Sequence, residues 1–288
     1  MREVNIKYSQ NYLHNEALVK ELIGKSNIGN NDVVYEIGAG KGIITQQLAL
    51  SCKKVISFEY DSQLSTHLKH RFESNPNIEI INSDFLQYVF KDYLYCKFFS
   101  NIPFNITAEL MMKVLELKGV KDIYFIMQYE AFLKYAGSPY YRDCFKSLQY
   151  KPFYIMEILH EFSPTDFSPV PKARIILAHI YPRINTDICK REKDNYLDFL
   201  SFMFLENGSS FKDKSKRIFS YEQVKRISKD YSISLDSSLL DLTIQQWNCI
   251  FQVYLNYVSA EKKTMVDGSF KYLKGEQSKL EKIHKNRR

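Results

Sequence analysis

Short apolar runs alternate with helical patterns between Val33 and Tyr181. The runs are rich in β-branched and aromatic residues and lie at Val33–Ile37, Val55–Glu59, Ile78–Ile81, Phe98–Ile102, Ile123–Met127, Phe153–Leu159 and Ile175–Ile180. Helical patterns between them include Thr45–Ser51, Leu64–Glu73 and Glu109–Lys118. Strands that alternate with helices predict a parallel α/β sheet. Only a loop with three prolines, 163–174, separates the last two runs, which predicts an antiparallel hairpin at the end of the sheet.

The pattern changes after Pro182. A helical stretch over Tyr196–Leu205 precedes two S/T-x-x-Q sequences, which begin at Ser220 and Thr243 and are typical of capping boxes. An amphipathic stripe follows at Trp247, Phe251, Tyr254, Leu255 and Val258, and we interpret it as core rather than as a base-binding surface. We therefore predict an α/β domain over 1–183, a small helical domain over 184–260 and a C-terminal tail over 261–288.

Positive charge is distributed unevenly along the chain. The chain has 288 residues, of which 45% are apolar and 25% charged, as in ordinary globular proteins. Aromatic residues make up 15%, a value that fits base-stacking surfaces or, as we favour, the coding bias of an AT-rich genome. The segment 261–288 holds nine Lys or Arg and four acids, which is +5 of the net +7. A basic tail suits a polyanionic partner, and a solvated terminus is the alternative.

Cysteine and histidine spacing favours a cytoplasmic protein without a metal site. The cysteines lie more than forty residues apart, at positions 52, 96, 144, 189 and 249, and form no CxxC pair. This spacing indicates neither a zinc site nor a disulfide framework and suits a reducing compartment. His67 and His70 share a predicted helix but have no second ligand pair, so we expect no metal. We also expect no signal peptide and no membrane span.

A glycine-rich loop, Gly38-Ala-Gly40-Lys-Gly42, follows the first predicted strand and precedes a helix. Glycines let the backbone turn tightly and let a ligand approach closely. The spacing is GxGxG, which differs from the GxGxxG dinucleotide fingerprint and from the GxxxxGK[ST] phosphate loop. Glu36 precedes the loop, and its negative charge disfavours a pyrophosphate and suits a cationic ligand.

Two acids follow the next two predicted strands. Glu59 ends the second strand, 19 residues after Gly40, where a carboxylate can accept both hydroxyls of a ribose. Asp84 follows the third strand, where a carboxylate can accept the 6-amino group of an adenine. Each acid alone is also typical of a strand-end cap or a solvated loop. Together, after successive strands, they favour a nucleoside-binding site.

The segment Asn101-Ile102-Pro103-Phe104 combines an amide, a rigid proline and an aromatic ring at the end of a predicted strand. The Asn101 side-chain oxygen and neighbouring backbone carbonyls can accept both N–H bonds of an adenine amine. Proline fixes φ and removes a donor, and the Phe104 ring offers a stacking face. In isolation the segment is equally typical of a turn after a strand. The glycine loop upstream favours a site for a flat base.

These motifs together resemble the S-adenosylmethionine-dependent rRNA adenine N6-methyltransferases. Ser9-Gln10-Asn11-Tyr12-Leu13 is similar to the N-terminal cofactor motif of that family, which usually carries Phe at the position of Tyr12. The resemblance covers about residues 7 to 258. Within the superfamily, Asn101-Ile-Pro-Phe-Asn-Ile106 most resembles the erythromycin-resistance (Erm) methyltransferases. Departures are Tyr12, His14 in place of a small hydroxyl residue, and the extension past residue 260.

The resemblance implies a Rossmann-like, S-adenosylmethionine-dependent methyltransferase domain with a small C-terminal helical domain that associates with RNA. It implies methylation of an adenine N6 amine in 23S rRNA and resistance to macrolides, lincosamides and streptogramin B. We expect a cytoplasmic monomer. The resemblance also implies which residues contact the cofactor. They are Gln10, Asn11, Leu13, Glu36, Gly38, Gly40, Gly42, Glu59, Asp84 and Asn101. Asn101 to Phe104 would also receive the target base.

Three alternatives remain open. A small-subunit rRNA adenine dimethyltransferase uses the same chemistry on 16S-type rRNA, but such enzymes usually carry Leu and Tyr at positions 102 and 104. DNA adenine methyltransferases usually carry two prolines before the aromatic residue. A non-enzymatic nucleic-acid-binding factor on this fold could lose Asn101, Glu59 or Asp84, and this chain keeps all three.

Overall fold

The computed structural model describes residues 11–90, 95–184, 186 and 188–276. The chain forms two compact units. The first unit comprises the residues up to Leu133 together with Tyr154–Pro182, and the second comprises Lys134–Phe153 together with the residues from Arg183 onward. The predicted α/β domain over 1–183 thus includes residues 134–153, which pack with the second unit. As a division into functional domains, the predicted boundaries stay a prediction.

A seven-stranded sheet forms the centre of the first unit. The strands of this unit are β1 (Tyr12–Leu13), β2 (Val33–Ile37), β3 (Lys54–Glu59), β4 (Ile78–Asn82), β5 (Cys96–Asn101), β6 (Val120–Gln128), β7 (Tyr154–Glu161), β8 (Phe167–Ser168) and β9 (Ile175–Pro182). The order in the sheet is β4-β3-β2-β5-β6-β9-β7. Neighbours from β4 to β6 are parallel, and β9 pairs antiparallel with both β6 and β7. The predicted parallel α/β sheet and its closing antiparallel hairpin are therefore confirmed.

Helices cover the parallel strands. They are α1 (Glu16–Gly24), α2 (Ile43–Ala49), α3 (Ser62–Arg71) and α4 (Thr107–Glu116), and α5 (Tyr129–Ala136) leads from the first unit into the second. The central strand β5 is buried along all but its last residue, because helices cover both faces of a parallel sheet. This is why the consecutive residues Phe98 and Phe99, which face opposite sides of the sheet, are both apolar and fully buried.

A second, two-stranded sheet lies beside the large one, and the sequence pattern did not predict it. Strand β1 pairs antiparallel with β8, so that Tyr12 lies opposite Ser168 and Leu13 opposite Phe167. Both Leu13 and Phe167 are buried in the core cluster that also contains residues of α1 and α2. A strand of two residues is too short for a recognisable period, which explains why it escaped detection.

The second unit is helical. Its helices are α6 (Phe145–Tyr150), α7 (Lys193–Leu205), α8 (Phe211–Ser215), α9 (Tyr221–Asp230), α10 (Ile244–Tyr257) and α11 (Ala260–Thr264). Both predicted capping boxes are present, at the start of α9 and of α10. Trp247, Phe251 and Tyr254 of the predicted stripe are buried, as expected for core residues. Across both units, no helix within the described ranges has the length and apolar character to cross a membrane.

Part of the predicted tail folds onto this helical unit. Ser259 caps α11, and Val266 beyond it is fully buried. Residues 269–276 form a further helical segment. The carboxylate of Asp198 on α7 accepts hydrogen bonds from the backbone N–H of Gly268 (3.0 Å) and Phe270 (2.9 Å), at the start of that segment. Residues 277–288, the remainder of the tail, lie outside the described residues.

Candidate active site

The predicted site residues meet at one edge of the large sheet. The glycine loop follows β2, Glu59 ends β3, Asp84 follows β4 and Asn101 ends β5. These strands are parallel neighbours, so their carboxyl ends lie side by side. This edge is where open α/β sheets bind their ligands.

The glycine loop requires glycine at each of its three positions. Gly38, Gly40 and Gly42 have φ of 76°, 55° and 80°, in the left-handed region that side chains disfavour. A Cβ on Gly42 would lie 2.7 Å from the Leu68 side chain, so the loop packs directly on α3. A Cβ on Gly40 would lie 3.0 Å from the ring of Tyr12. The loop therefore leaves an open cradle only because side chains are absent.

Glu36 lies inside the protein rather than in the cradle. Its carboxylate is 1% exposed and accepts hydrogen bonds from the hydroxyls of Thr45 (2.5 Å) and Ser57 (2.7 Å). Burial raises the pKa of Glu36 to about 7, against the hydrogen bonds of these hydroxyls. Because Thr45 lies on α2 and Ser57 on β3, the side chain ties together the elements that flank the loop. The geometry favours this supporting role, and the predicted cofactor contact of Glu36 stays a prediction.

Glu59 joins the loop to the end of β3. One carboxylate oxygen accepts the backbone N–H of Gly40 at 2.8 Å, and the other accepts the N–H of Asp61 at 3.0 Å. Burial raises the pKa of Glu59, although these backbone hydrogen bonds oppose the shift. A carboxylate has about four acceptor positions, so each oxygen keeps capacity for a further hydrogen bond. Two adjacent hydroxyls of a ribose match that remaining capacity.

The N-terminal motif reaches the target-base segment directly. The side-chain amide of Asn101 donates to the backbone carbonyl of Asn11 at 2.8 Å. The side-chain amide of Asn11 in turn donates to the carbonyl of Pro169 at 2.6 Å, beside β8. The side chain of Leu13 is buried in the core, and its predicted contact with the cofactor stays a prediction. Gln10 lies outside the described residues.

Tyr12 stacks over the loop, a role that the sequence motif did not reveal. Its ring contacts Gly40, and the ammonium of Lys41 lies 5.4 Å from the ring centroid. Burial raises the pKa of the Tyr12 hydroxyl, and the charges of Glu59 and Asp61 raise it further. The phenol therefore stays neutral.

Asp84 begins a tight turn. Its Oδ1 accepts the backbone N–H of Leu86 at 2.8 Å, and its backbone carbonyl accepts the N–H of Gln87 at 3.0 Å. The preceding residue, Ser83, donates its N–H to the carbonyl of Glu59 at 3.1 Å. This bond places the turn next to the end of β3, so the two predicted cofactor acids are neighbours.

The segment after Asn101 presents a limited set of acceptors. The carbonyl of Pro103 accepts the N–H of Ile106 at 3.3 Å, and the carbonyl of Phe104 accepts the Thr107 hydroxyl at 3.2 Å. In the described part of the chain, no hydrogen bond occupies the side-chain oxygen of Asn101 or the carbonyl of Ile102. Within the segment from Asn101 to Phe104, these two oxygens are the ones with all of their acceptor capacity left, so they suit an amine with two N–H bonds.

Proline and phenylalanine complete the segment. The ring of Pro103 lies 3.8 Å from the Cβ position of Gly38, so the base segment and the glycine loop touch. The backbone N–H of Ile102 donates to the carbonyl of Ile126 at 3.2 Å and extends the β5–β6 pairing. The side chain of Ile102 is buried. Phe104 begins a short 3₁₀ turn, is half-buried and packs on its inner side against the core cluster around Leu13.

The edge fits S-adenosylmethionine. A nucleoside needs close backbone approach, which the glycine cradle allows, and hydroxyl acceptors, which Glu59 retains. The acidic side chains also suit a cation. The parallel sheet, the loop after β2 and the acid at the end of β3 together define a Rossmann-like nucleotide-binding domain.

Comparison with known proteins identifies the family within this class of nucleotide-binding domains. The family model for ribosomal RNA adenine dimethylase matches residues 1–256. The chain is 28% identical over 248 residues to an rRNA adenine N-6-methyltransferase of Bacteroides fragilis, which covers 85% of this chain and 91% of that protein. It is 36% identical over 172 residues to a probable ribosomal RNA small subunit methyltransferase A of Methanococcus aeolicus, covering 58% and 62%. The crystal structure of the 23S rRNA methyltransferase ErmE superposes with a TM-score of 0.75 at 21% identity, over 84% of this chain and 98% of that one, which shows a shared fold.

The chain belongs to the ribosomal RNA adenine dimethylase family. It is an S-adenosylmethionine-dependent rRNA adenine N6-methyltransferase. The resemblance inferred from the glycine loop, Glu59, Asp84 and the segment from Asn101 to Phe104 is confirmed at the level of the family. The role of each site residue stays a prediction.

Proposed function

We propose that this enzyme methylates the N6 amine of one adenine in 23S rRNA and thereby confers resistance to macrolides, lincosamides and streptogramin B. The observation that carries the proposal is the segment Asn101-Ile-Pro-Phe-Asn-Ile106, with Ile and Phe where small-subunit enzymes usually carry Leu and Tyr. The relative from Bacteroides fragilis, an rRNA adenine N-6-methyltransferase matched over 85% of this chain, supports the reaction on an rRNA adenine, which both candidate substrates share. We also propose that the enzyme is cytoplasmic, as the spacing of its cysteines suits a reducing compartment.

Asn101 and Ile102 would hold the target amine. The lone pair of an adenine amine is delocalised into the ring, so the amine is a poor nucleophile. The Asn101 side-chain oxygen and the Ile102 carbonyl would accept its N–H bonds. These hydrogen bonds would localise the lone pair on the nitrogen and align it with the methyl group of the cofactor. Catalysis then consists mainly of positioning and electrostatics, and requires no nucleophile from the protein.

Phe104 would receive the base after it leaves its stack in the RNA. Extruding a base costs a few kcal/mol, and stacking on an aromatic ring returns about 1–3 kcal/mol. The inner side of Phe104 packs against the core, so only its outer side is available for stacking. Pro103 fixes the backbone between the two groups that hold the base.

The chain's own residues would hold the cofactor in three places. S-adenosylmethionine, when bound, supplies a methyl group already activated on a sulfonium. Glu59 would accept the ribose hydroxyls, and Asp84 would accept the 6-amino group of the cofactor adenine. The backbone of Gly38 and Gly40, with the backbone at Asn11, would line the methionine end. Gly42 would support the cradle through its contact with α3.

A small-subunit rRNA is the second candidate substrate. The relative from Methanococcus aeolicus favours it, because it is named as a probable small subunit methyltransferase and is 36% identical over 172 residues, 58% of this chain. The segment from Asn101 to Ile106 favours the other substrate. On that segment we rank 23S rRNA first.

One assay separates the two substrates. The purified enzyme is incubated with labelled S-adenosylmethionine and, separately, protein-free 23S and 16S rRNA, and the modified base is mapped by primer extension. We expect label at one adenine of 23S rRNA, together with erythromycin resistance in a susceptible host that expresses the enzyme. Label confined to 16S rRNA would overturn the proposal and establish the second candidate.

The basic C-terminus would strengthen RNA binding without a part in chemistry. Residues 277–288 carry five Lys or Arg and one acid, a net +4. Truncation after Glu276 leaves the contacts of Asp198 and the buried Val266 intact, whereas truncation after Ala260 would remove them. We expect the shorter protein to bind RNA more weakly with a flatter salt dependence and unchanged single-turnover rate. An unchanged salt slope in filter-binding assays would assign these residues no role.

A further inference from the structure

The side chain of Lys113 joins helix α4 to the turn that begins at Asp84. Its ammonium donates hydrogen bonds to three backbone carbonyls of that turn: Phe85 at 2.6 Å, Leu86 at 2.8 Å and Tyr88 at 2.6 Å. An ammonium has three donors, so this turn saturates it. The ammonium also lies 5.2 Å from the ring centroid of Phe85.

A lysine in this position is costly unless its surroundings compensate for lost water. Burial lowers the pKa of Lys113, and the negative charge of Asp84 opposes that shift. The compensation comes from the three carbonyls of the turn, from the charge of Asp84 and from the rings of Phe85 and Phe90. An ammonium held this way draws successive carbonyls to one point, and so fixes the conformation of the backbone between them.

The consequence falls on the Asp84 carboxylate. Lys113 binds the carbonyls of Phe85, Leu86 and Tyr88, and within the same turn the Asp84 Oδ1 accepts the N–H of Leu86. Phe85, the residue after Asp84, is buried and packs edge-on against Phe58 of β3, with ring centroids 5.1 Å apart. The turn that carries the carboxylate is therefore anchored by the buried ring of Phe85 and by the ammonium of Lys113.

Helix α4 has a second connection to the site. It begins at Thr107, whose hydroxyl donates to the carbonyl of Phe104 at 3.2 Å. Lys113 lies in the last turn of the same helix. One rigid element thus contacts the segment proposed to hold the target base at its start and the turn proposed to hold the cofactor adenine at its end.

We propose that Lys113 is a positioning residue for cofactor recognition, which orients the Asp84 turn so that its carboxylate accepts the 6-amino group of the cofactor adenine. The inference rests on the role proposed above for Asp84. It goes beyond that role because it assigns the selectivity for the amine to a lysine that does not touch the cofactor. Loss of the ammonium releases the three carbonyls and lets the carboxylate move away from the amine.

The test measures selectivity rather than affinity alone. Dissociation constants are determined by calorimetry for S-adenosylhomocysteine and for its analogue with unsubstituted purine, which lacks the 6-amino group. The ratio of the two constants reports the contact with the amine. A general loss of stability weakens both ligands alike and leaves the ratio unchanged. The variants are Lys113→Met, the control Lys118→Met just beyond the end of the same helix, and Asp84→Asn.

We expect a wild-type ratio of about tenfold or more, as for a hydrogen bond to a charged group. Lys113→Met should reduce the ratio to about threefold or less, and Lys118→Met, an exposed lysine, should keep the wild-type value. A Lys113→Met protein with the full wild-type ratio overturns the proposal, as does a wild-type ratio near one. If Lys113→Met does not fold in thermal melts, Lys113→Gln, with two donors on a shorter chain, is judged by the same ratio.

Asp84→Asn separates this proposal from the one on which it rests. If the ratio falls in Asp84→Asn but not in Lys113→Met, Asp84 binds the amine and the lysine has no part. If the ratio falls in Lys113→Met but not in Asp84→Asn, recognition of the amine does not depend on the Asp84 carboxylate, and the proposal is overturned. Turnover gives an independent check, because a positioning role raises the KM for S-adenosylmethionine and leaves kcat at saturation nearly unchanged.

Discussion

The two edges of the large sheet hold charged side chains in different ways. At the amino edge, Lys97 at the start of β5 lies 2.9 Å from the carboxylate of Asp32 and 3.7 Å from that of Asp122. His179 of β9 is hydrogen-bonded to Asp122 at 2.8 Å. At the carboxyl edge, Glu59 accepts only backbone N–H groups, and no cationic side chain forms an ion pair with it among the described residues.

The amino edge is a closed network. Lys97 also donates to the carbonyl of Asn27, and the rings of His179 and Tyr124 stack with centroids 4.4 Å apart. Burial raises the pKa of Asp122, but the hydrogen bond from His179 and the charge of Lys97 outweigh it, so that the pKa lies below its usual range. Each charge there is matched by another within the fold.

The difference separates charges that serve stability from charges that serve binding. A buried ion pair that is fully matched has no capacity left for a ligand, and its loss leaves a partner uncompensated. A carboxylate held by backbone N–H groups is positioned equally well but keeps free acceptor positions. Removing side chains at the amino edge should therefore affect unfolding, whereas removing them at the carboxyl edge should affect turnover and cofactor affinity.

The largest effect is expected at the amino edge. Lys97→Met should reduce the free energy of unfolding by about 3–5 kcal/mol, because two carboxylates lose their cation. The matched control is Lys54→Met, whose ion pair with Glu79 is exposed and whose loss should cost about 0–1 kcal/mol. Urea unfolding at neutral pH measures both. The methylation rate per folded molecule should be unchanged. If Lys97→Met lowers the free energy of unfolding by less than Lys54→Met does, the closed network at the amino edge is contradicted.

At the carboxyl edge the largest effect is expected at Asn101. Asn101→Ala should lower kcat by about 10²–10³-fold, the cost of removing one preorganised hydrogen-bonding group, with little change in RNA affinity. Asn105→Ala, an exposed amide in the following turn, is the control and should stay active. Single-turnover methylation measures the rate. If only the KM for S-adenosylmethionine rises, the contact of Asn101 is with the cofactor through Asn11 rather than with the target amine.

Sequence patterns predicted the parts of this molecule that rest on local chemistry. Each apolar run from Val33 to Tyr181 corresponds to a strand of the large sheet. For the inner strands the reason is that a strand covered on both faces must be apolar. The alignment of the loop, Glu59, Asp84 and Asn101 at one edge followed from their positions at the ends of parallel strands. Each of those features is encoded by a local segment of a few residues.

Features that depend on distant contacts were not predictable. The pairing of β1 with β8 joins residues more than 150 positions apart, and the packing of residues 134–153 with the helical unit has no local signal. The orientation of Glu36 is a further case, since its inward side chain is decided by Thr45 and Ser57 on other elements. Likewise, nothing near Lys113 in the sequence distinguishes it from an ordinary lysine within the predicted helix Glu109–Lys118.

Glu59 gives the next effect in size. Glu59→Ala should raise the KM for S-adenosylmethionine by about 10–100-fold, as expected from the loss of hydrogen bonds to a charged group. RNA affinity should stay near the wild-type value. The substitution also leaves the N–H groups of Gly40 and Asp61 unpaired, which by itself destabilises the loop.

Glu59→Gln separates the two causes, because it keeps an acceptor oxygen and the size of the side chain. We expect an intermediate rise in KM with nearly wild-type thermal stability. Calorimetric titration with S-adenosylhomocysteine, alongside melts, measures both quantities. A folded Glu59→Gln or Glu59→Ala protein that binds cofactor like the wild type would show that the ribose is held elsewhere.

Phe104 gives the smallest effect and the sharpest test of the carboxyl edge as a binding surface. Its outer side is proposed to stack on the target base, while its inner side packs against the core. Stacking needs only an aromatic ring, so Phe104→Tyr should stay active, and Phe104→Ala should lose about 1–3 kcal/mol of transition-state stabilisation. Phe104→Leu fills the core but cannot stack. If packing is the whole role, Leu should serve as well as Tyr in single-turnover methylation by proteins of equal thermal stability, and the base must then be held by Asn101 and Ile102 alone.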